Sequence, residues 1–470
     1  MGRHVMPLAF DGSPRPNILF VFSDQHRFCD LGCYGNESVR TPHLDAFAQE
    51  AVRFADCIAN SPVCVPSRGS LLTGLYPLRH GAVANDLPVS WRVSSIADAL
   101  AAAGYHTGYI GKWHLAGVPR DQQIPPGRGR LGFAEWKVCN CNHNYLAAYY
   151  YDETGERHPV SGYEPVTQTD LALDFIGRQG TRPWALVLSW GPPHDPYDAV
   201  PERYLRLYDA EGIPLRANVP ETTRVTTTRT LSRAQVRGQH RGYFAHITAL
   251  DEQFGRLVAA LEETGQRERT IVVYTSDHGD MLGSQGLSNK QLPYEESIHV
   301  PLLVRWPGHT FVGVQTGLIG LVDLPVSLLG LAGVSMGDTD GQDLHHLFLD
   351  PRASGRPFCY IFDLIPAHQA MARGGREWRG LRTPRYTFAR TASDEGFLLF
   401  DNREDPLQLD NRVNAPSDAA LRDRLRTELS AEVSQHDALL PWEDFIRQWG
   451  LREEWNRSQS YFHHPLLPPL

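Results

Sequence analysis

One stretch of this 470-residue chain places a thiol and an arginine at the predicted start of a helix. It reads Cys64-Val65-Pro66-Ser67-Arg68-Gly69-Ser70-Leu71-Leu72-Thr73-Gly74. Pro66 and Ser67 suit a first helical turn, and Gly74 suits the C-terminal end. Unpaired backbone N–H groups at a helix start favour an anion, and the planar guanidinium of Arg68 matches a tetrahedral oxyanion. The stretch predicts an anion site with the Cys64 thiol beside it; a buried structural cysteine is the alternative.

Four strand-like apolar runs are each followed at once by a short polar cluster. The clusters are Asp24 with Gln25, Lys112 with His114, His194, and Asp277 with His278. Because the carboxyl ends of parallel strands share one edge of a sheet, we expect these clusters to converge there. Two acids at one site repel each other unless a cation lies between them. We therefore predict a divalent ion held by Asp24, Asp277, the amide oxygen of Gln25 and an imidazole nitrogen of His278; separate strand-end capping groups are the alternative.

The pattern Cys64-x-Pro-Ser-Arg, followed by a small-residue helix, resembles the signature of the type I sulfatases, a branch of the alkaline phosphatase superfamily. In that family a formylglycine-generating enzyme reads the Pro and Arg and oxidises the cysteine to formylglycine, whose hydrated aldehyde is the nucleophile. The likeness runs from about Asn17 to Val304 and is weaker beyond. It implies an alkaline-phosphatase-like fold, a small-molecule sulfate ester as substrate and one divalent metal ion.

The resemblance also implies a role for each catalytic position. Besides Cys64, the matched positions are Arg68, Lys112, His114, His194 and Lys290. In the implied reaction a formylglycine hydroxyl attacks the sulfur, and Asp277 takes its proton. His194 with Lys290 serves the leaving oxygen, and His114 then deprotonates the second hydroxyl so that sulfate is released.

Gln25 departs from the commonest family pattern, in which a second Asp stands at this position. Calcium is the favoured ion, but the amide removes one negative charge, so calcium would be held less tightly and manganese and magnesium are open as well. An Asp-Gln start with an Asp-His second pair also resembles the phosphonate monoester hydrolases of the same superfamily. A phosphonate monoester or phosphodiester hydrolase is therefore an alternative, as is a non-catalytic anion-binding homologue. Aryl, sugar and alkyl sulfates are all open as substrates.

The elements that must position these residues follow from hydrophobic periodicity. Buried strands are predicted at 17–22, 106–110, 184–190, 270–275 and 300–304, and helices at 41–54, 96–103 and 241–263. An irregular insertion at 140–151, rich in Asn and Tyr, is expected to lie over the strand ends and shape substrate choice, with His143 and Tyr145 as guesses for substrate contact. The pattern predicts an α/β fold with a central mixed, mostly parallel sheet flanked by helices.

The chain changes character at about residue 355. Short alternating strands at 358–362, 385–390 and 397–400 and a helix at 419–433 predict a small antiparallel subdomain. We expect a catalytic domain at 1–354 and a C-terminal subdomain at 355–470. The tail at 463–470 could dock on a neighbouring subunit, which leaves a homodimer or homotetramer open.

Composition limits the partners. A net charge of -9, with 41% hydrophobic and 21% charged residues, indicates an ordinary globular protein and disfavours nucleic acid or an anionic membrane as a partner. Residues 1–16 lack the apolar core of a secretory signal, and the apolar stretch 318–334 is broken by Asp323 and Pro325. Seven unevenly spread cysteines fit a reducing compartment, so we expect a cytoplasmic protein.

Overall fold

The computed structural model describes residues 15–366, 369–372, 374–391, 393, 395–437 and 441–462. Its main features are a ten-stranded mixed sheet with helices on both faces and a four-stranded antiparallel sheet near the C-terminus. Both features confirm the predicted fold class. The domain boundary at residue 354 stays a prediction, and the tail at 463–470 lies outside the described residues. None of the described helices has the length and apolar character needed to cross a membrane.

The strands of the described residues share one numbering in chain order. They are β1 (Asn17–Asp24), β2 (Val52–Phe54), β3 (Cys57–Ile58), β4 (His106–Lys112), β5 (Glu135–Cys139), β6 (Tyr149–Tyr151), β7 (Arg157–Pro159), β8 (Trp184–Pro193), β9 (Thr222–Arg224), β10 (Thr230–Ser232), β11 (Thr270–Ser276), β12 (His299–Val300), β13 (Leu302–Arg305), β14 (Gly313–Gln315), β15 (Ile319–Gly320), β16 (Cys359–Asp363), β17 (Trp378–Arg382), β18 (Tyr386–Thr391) and β19 (Gly396–Asp401).

The α-helices are numbered in the same way. They are α1 (Pro42–Ala48), α2 (Cys64–Thr73), α3 (Pro77–His80), α4 (Ile96–Ala102), α5 (Glu164–Gly177), α6 (Glu202–Leu205), α7 (Arg233–Glu263), α8 (Glu295–Ile298), α9 (Leu324–Leu331), α10 (Gln369–Ala372), α11 (Ala419–His436), α12 (Trp442–Gln448) and α13 (Arg452–Phe462).

The centre of the large sheet is parallel. Its strand order is β14-β2-β13-β11-β1-β8-β4-β5-β6-β7. Strand β1 pairs in parallel with β11 on one side and β8 on the other, and β4 pairs in parallel with β8. The carboxyl ends of these four strands therefore lie at one edge, which is the convergence expected from the sequence.

Strand β1 shows how the two faces of the sheet are buried. Phe20 and Phe22 point into a core with residues of α2, α4 and α9, whereas Leu19 and Val21 point into a second core with residues of α1, α5 and α7. Successive side chains of a strand alternate between faces, so an unbroken apolar run is what a sheet covered on both sides requires.

Three predicted elements have wrong boundaries. The helix predicted at 41–54 ends at Ala48, and its last residues form β2. Helix α7 begins at Arg233 instead of residue 241, because Ser232 and Gln235 form a capping box at its start. The strand predicted at 300–304 is divided: β12 pairs with β3 in a small sheet, and β13 joins the large sheet antiparallel to β11.

The C-terminal sheet has the order β16-β17-β18-β19, and every neighbouring pair is antiparallel. Its second strand, β17, was not predicted from the sequence. Arg382 in β17 reaches the main body of the protein, where its guanidinium pairs with Glu295 at 2.8 Å and Asp56 at 2.6 Å. The side chains of Arg382 and Glu295 are buried, so this contact joins the two sheets through a desolvated ion pair.

Candidate active site

Cys64 lies at the meeting point of the strand-end clusters. It is the first residue of α2, and its Sγ lies 3.2 Å from His278 Nε2 and 3.6 Å from Asp24 Oδ1. One ligand atom from each of Asp24, Cys64, Asp277 and His278 lies within 4.8 Å of the other three, and all four residues are buried. The structure thus brings the thiol and both acids of the sequence prediction into one site.

Two glycines allow the close packing that this site needs. A Cβ added at Gly69 in α2 would lie 2.4 Å from the ring of His80, so the helix could not approach α3 with a larger residue there. Gly111 in β4 has a φ of +107°, and an added Cβ would lie 2.0 Å from the carbonyl oxygen of Ser189. A side chain would therefore displace the strand end that carries Lys112.

Arg68 connects the strand ends from inside the protein. Its guanidinium lies 2.9 Å from a carboxylate oxygen of Asp24 and 2.9 Å from one of Asp277. It also donates to the Ser189 hydroxyl at 2.7 Å and to the Lys112 carbonyl at 2.9 Å. Arg68 is fully buried, and its guanidinium contacts both acids. These contacts hold the carboxylates of Asp24 and Asp277 in place.

The two acids differ in their electrostatic surroundings. Burial and the Cys64 thiol act to raise the pKa of Asp24, but Lys112 and Arg68 lower that pKa well below its usual range. Burial and the adjacent Asp24 carboxylate raise the pKa of Asp277. Burial would also raise the pKa of the Cys64 thiol, yet Lys290, His278 and Lys112 lower it well below its ordinary value. Residue 64 therefore lies in a strongly cationic environment.

The donor set fits a divalent cation. Asp277 Oδ2 is buried and receives no hydrogen bond of good geometry from the described residues, although it forms an ion pair with Arg68 Nε at 2.9 Å. His278 Nδ1 lies 2.9 Å from the carbonyl oxygen of Gly279, which can accept its hydrogen and so leaves Nε2 as an available lone pair toward Cys64. Two carboxylates and an imidazole are usual ligands of such ions. The structure does not identify the ion.

Gln25 lies beside the acids but uses its amide elsewhere. Its backbone N–H donates to Asp277 Oδ1 at 3.0 Å, and its Nε2 donates to Asp280 at 2.7 Å. Its Oε1 accepts a hydrogen bond from Lys290 Nζ. The prediction that the Gln25 amide oxygen binds the ion therefore stays a prediction, and Asp280 is a third carboxylate that sequence reasoning did not assign.

Two lysine and histidine pairs lie against each other at the site. Lys290 Nζ lies 2.8 Å from His194 Nε2, and Lys112 Nζ lies 3.2 Å from His143 Nε2 and 2.7 Å from Asp24 Oδ2. The rings of His143 and His194 are stacked with their centroids 4.4 Å apart. His143, a guess for substrate contact, thus lies next to two predicted catalytic residues, Lys112 and His194.

Tyr145, the second residue guessed for substrate contact, has a different position. Its side chain is fully buried, and its hydroxyl donates to the carbonyl of His194 at 3.0 Å. It supports the backbone that carries His194 and presents no surface to a ligand. The remainder of the insertion includes β6, which extends the large sheet.

His114 is held by groups that the sequence did not reveal. Its φ of 58° is left-handed, and its Nε2 lies 3.3 Å from Asp86 Oδ1. Both oxygens of Asp86 accept from Arg120 at 2.8 Å. Burial would lower the pKa of His114, but Cys141 and the hydrogen bond to Asp86 raise it to about 10. Asp86 and Arg120 are loop residues far apart in sequence, and no local pattern signals their pairing.

A reactive position at a helix start, an acid pair and several cations at the strand ends of an α/β sheet define a hydrolase of anionic esters. Comparison with known proteins is more specific. The family model described as Sulfatase matches residues 16–334, and the model described as N-sulphoglucosamine sulphohydrolase, C-terminal, matches residues 283–435. The chain belongs to the sulfatase family and is a sulfuric ester hydrolase.

Individual relatives cover nearly the whole chain. The ulvan-active sulfatase of Formosa agariphila is 35% identical over 90% of this chain and 82% of its own length. The solved structure of the putative sulfatase yidJ from Bacteroides fragilis superposes with a TM-score of 0.80 at 29% identity, covering 92% of this chain and 98% of that one. The phosphonate monoester hydrolase of Agrobacterium radiobacter shares the fold, with a TM-score of 0.73 at 22% identity over 90% of this chain and 96% of that one.

Proposed function

We propose that the protein hydrolyses sulfate esters with a formylglycine nucleophile made from Cys64. The proposal rests on the position of Cys64 at the start of α2. Its Sγ lies within 4.8 Å of ligand atoms of Asp24, Asp277 and His278. An oxidised residue 64 would present a hydrated aldehyde at that point, and one of its hydroxyls can attack sulfur. An unmodified thiol would lack the second hydroxyl needed to release sulfate.

We infer that the cations around residue 64 hold the sulfuryl oxygens. Lys112 and Lys290 lower the pKa of the Cys64 thiol, so their charges already act at the position where the sulfur would be bound. The same charges would stabilise the negative charge on the sulfuryl oxygens during transfer. Arg68 contributes indirectly, because it fixes Asp24 and Asp277.

Asp24, Asp277 and His278 are proposed to hold a divalent cation, with calcium favoured. When bound, such an ion lowers the pKa of the attacking hydroxyl and offsets charge on the sulfate. Asp277 is proposed to accept the proton of the attacking hydroxyl as well, because its carboxylate lies beside residue 64.

The proton for the leaving oxygen is assigned to His194 and Lys290, which lie 2.8 Å apart. Lys290 is in addition fixed by Gln25, which accepts its hydrogen bond. His114 is assigned to the second hydroxyl: its neutral imidazole takes that proton as the bond between carbon and the sulfate oxygen breaks, which regenerates the aldehyde. Because the pKa of His114 is raised to about 10, this neutral fraction grows as the pH rises toward that value. The contact of His114 with Asp86 would stabilise the imidazolium formed in this step.

Mass spectrometry and kinetics on the same samples test this proposal. Conversion of Cys64 lowers the mass of its peptide by about 18 Da. We expect the hydrolysis rate of a fluorogenic aryl sulfate to rise in proportion to the converted fraction when the protein is produced with a formylglycine-generating enzyme. Cys64→Ala should abolish activity, and Cys33→Ala, at a half-buried free cysteine outside the site, should not. Full activity of unconverted protein would refute the proposal.

A phosphonate monoester hydrolase is the second candidate. The observation that favours it is the presence of the consecutive residues Asp24-Gln25 and Asp277-His278 at the site, since this combination resembles the one in those enzymes. Rates on matched aryl sulfate and aryl phosphonate monoesters separate the two functions. A preference for the phosphonate by several orders of magnitude would overturn the sulfatase assignment.

A further inference from the structure

A cleft of about 560 Å³ is lined by Asp195 and Asn289, the immediate sequence neighbours of His194 and Lys290 in the proposed sulfate site. One wall is the segment Asp195–Asp198, another is the hairpin β9–β10 with Arg229, and a third is the start of α7 together with Ser288 and Asn289. Its volume lies in the range of roughly 300–1,000 Å³ that small-molecule sites occupy. Nothing in the mechanism above uses this space.

Two lining residues of the cleft adjoin His194 and Lys290, the groups proposed to serve the leaving oxygen. Asp195 Oδ1 lies 3.3 Å from His194 Nδ1. Asn289 immediately precedes Lys290 and has a left-handed φ of 62°, a conformation that Asn tolerates better than most residues. The alcohol half of an ester whose sulfate is held by His194 and Lys290 would therefore extend into the cleft.

Several polar side chains in the cleft have no protein partner. Arg229, Gln239 and Asn289 make no side-chain hydrogen bond or ion pair with any other residue that the structure describes. Arg229 is the one cation among the lining residues. Of the two acids there, Asp195 faces His194, and Asp198 is exposed. Amides and a guanidinium suit hydroxyl and carboxylate groups, and the apolar lining residues Tyr197, Val225 and Leu231 suit the C–H face of a sugar ring.

The hairpin that carries Arg229 is fixed to the loop that leads to Lys290. Arg224 in β9 forms a β-bridge with Leu287, and the Ser288 hydroxyl donates to the Arg224 carbonyl at 3.1 Å. At the tip of the hairpin, the Thr227 N–H donates to the carbonyl of Ala372 at 2.8 Å. The backbone at Arg229 thus keeps a defined position relative to the sulfate site.

We propose that this cleft binds the sugar residue next to the sulfated one, and that Arg229 pairs with an oxyanion, a carboxylate or a second sulfate, on that neighbouring sugar. The inference rests on the proposed function and narrows its substrate class to anionic glycans. Arg229 supplies a planar fork that can hold either oxyanion by two parallel hydrogen bonds. Gln239 and Asn289 supply donors and acceptors for the sugar hydroxyls.

Equilibrium binding to the full-length Cys64→Ala protein tests this site without turnover. The probes are singly sulfated hexuronate disaccharides that differ in the position of the sulfate, each paired with its carboxyl-reduced form, and a disulfated disaccharide without a carboxylate, paired with its monosulfated form. We expect at least one probe with two anionic groups to bind more tightly than its singly charged counterpart. Arg229→Gln should weaken that probe by about 10- to 100-fold, the usual value of a hydrogen bond to a charged group, and leave the reduced form unchanged. Arg352→Gln, at an exposed arginine outside the cleft, is the matched control.

Failure of the cleft assignment and failure of the proposed sulfatase function give different results. If no doubly charged probe binds more tightly than its singly charged counterpart, or if Arg229→Gln weakens both forms equally, the cleft assignment is wrong. Preference for the hexuronate identifies the oxyanion as a carboxylate, and preference for the disulfated probe identifies it as sulfate. Hydrolysis of a small fluorogenic aryl sulfate by the Arg352→Gln enzyme should stay within twofold of the wild-type rate. Loss of aryl sulfatase activity in the converted wild-type enzyme would instead refute the proposed function.

Discussion

Replacing Gln25 by Glu should destabilise the protein because of a single hydrogen bond. Gln25 Nε2 donates to Asp280 Oδ2 at 2.7 Å, and both side chains are fully buried. Gln25→Glu would put two carboxylate oxygens at this separation. With an effective dielectric constant of about 20, two unit charges 2.7 Å apart repel by about 6 kcal/mol. A penalty of that size corresponds to about four pKa units, so the pair would bind a proton near neutral pH.

The net effect is smaller than this repulsion. Lys290 already donates to Gln25 Oε1 and would stabilise the new carboxylate. We expect a loss of at least about 2 kcal/mol in the free energy of unfolding, the value of a hydrogen bond to a charged group. The pKa of the new pair is raised by folding, so this loss should be small at pH 5 and grow as the pH rises toward 8. Urea unfolding followed by tryptophan fluorescence measures it.

A double-mutant cycle supplies the control. Gln25→Glu combined with Asp280→Asn restores one carboxylate and one amide in exchanged positions, so most of the stability should return. The coupling energy between the two positions should then exceed about 2 kcal/mol and favour the double variant. Additive effects, or a Gln25→Glu protein that unfolds at the same urea concentration as the wild type at pH 8, would refute the reasoning.

Three further predictions concern the site and its surroundings. Burial raises the pKa of Glu164 from its ordinary 4.5 to about 8, so wild-type stability should fall by up to about 1.4 kcal/mol per pH unit as the pH rises between these values. Thermal unfolding of Glu164→Gln should lack this trend, whereas Glu263→Gln, at an exposed site on α7, should retain it. His143→Phe keeps a ring against His194 but removes the acceptor of Lys112 Nζ, so kcat/KM on an aryl sulfate should fall about 10-fold; an unchanged value would exclude His143 from the site. Dialysis against EDTA should lower both the midpoint of thermal unfolding and the activity, and added calcium should restore both; activity that survives chelation would contradict the metal assignment.

The sequence was sufficient to predict the central strands and the meeting of their ends. Strands β1, β4, β8 and β11 are buried on both faces, so each reads as an apolar run that stops at a polar cluster. Such runs say less about boundaries. The apolar residues Val52 and Phe54 fit the face of a helix as well as a strand, and the pairing with β13 and β14 is what makes this segment β2.

Other features depend on long-range contacts that no local pattern records. Strand β17 contains Arg379 and Arg382, which argue against a buried strand until Asp437 and Glu295 are seen to pair with them. In the site, the partners of His114 and Gln25 come from loops distant in sequence. Asp280 belongs to a polar cluster that is visible in the sequence, Ser276-Asp277-His278-Gly279-Asp280. Its hydrogen bond with Gln25 could not be predicted, because the fold brings these two distant residues together.

The contact of Arg382 bears on how the protein could be shortened. Removal of everything after residue 354 would leave Asp56 and Glu295 without the guanidinium that neutralises them, and His299 would be the one ion-pair partner left to Glu295 among the described residues. The loss of one member of a buried ion pair typically costs about 3–5 kcal/mol. Since α8, which begins at Glu295, follows Lys290 by only a few residues, we expect the damage to reach Lys290, the lysine proposed to bind sulfate. A chain shortened at residue 354 should therefore lose activity together with the C-terminal sheet.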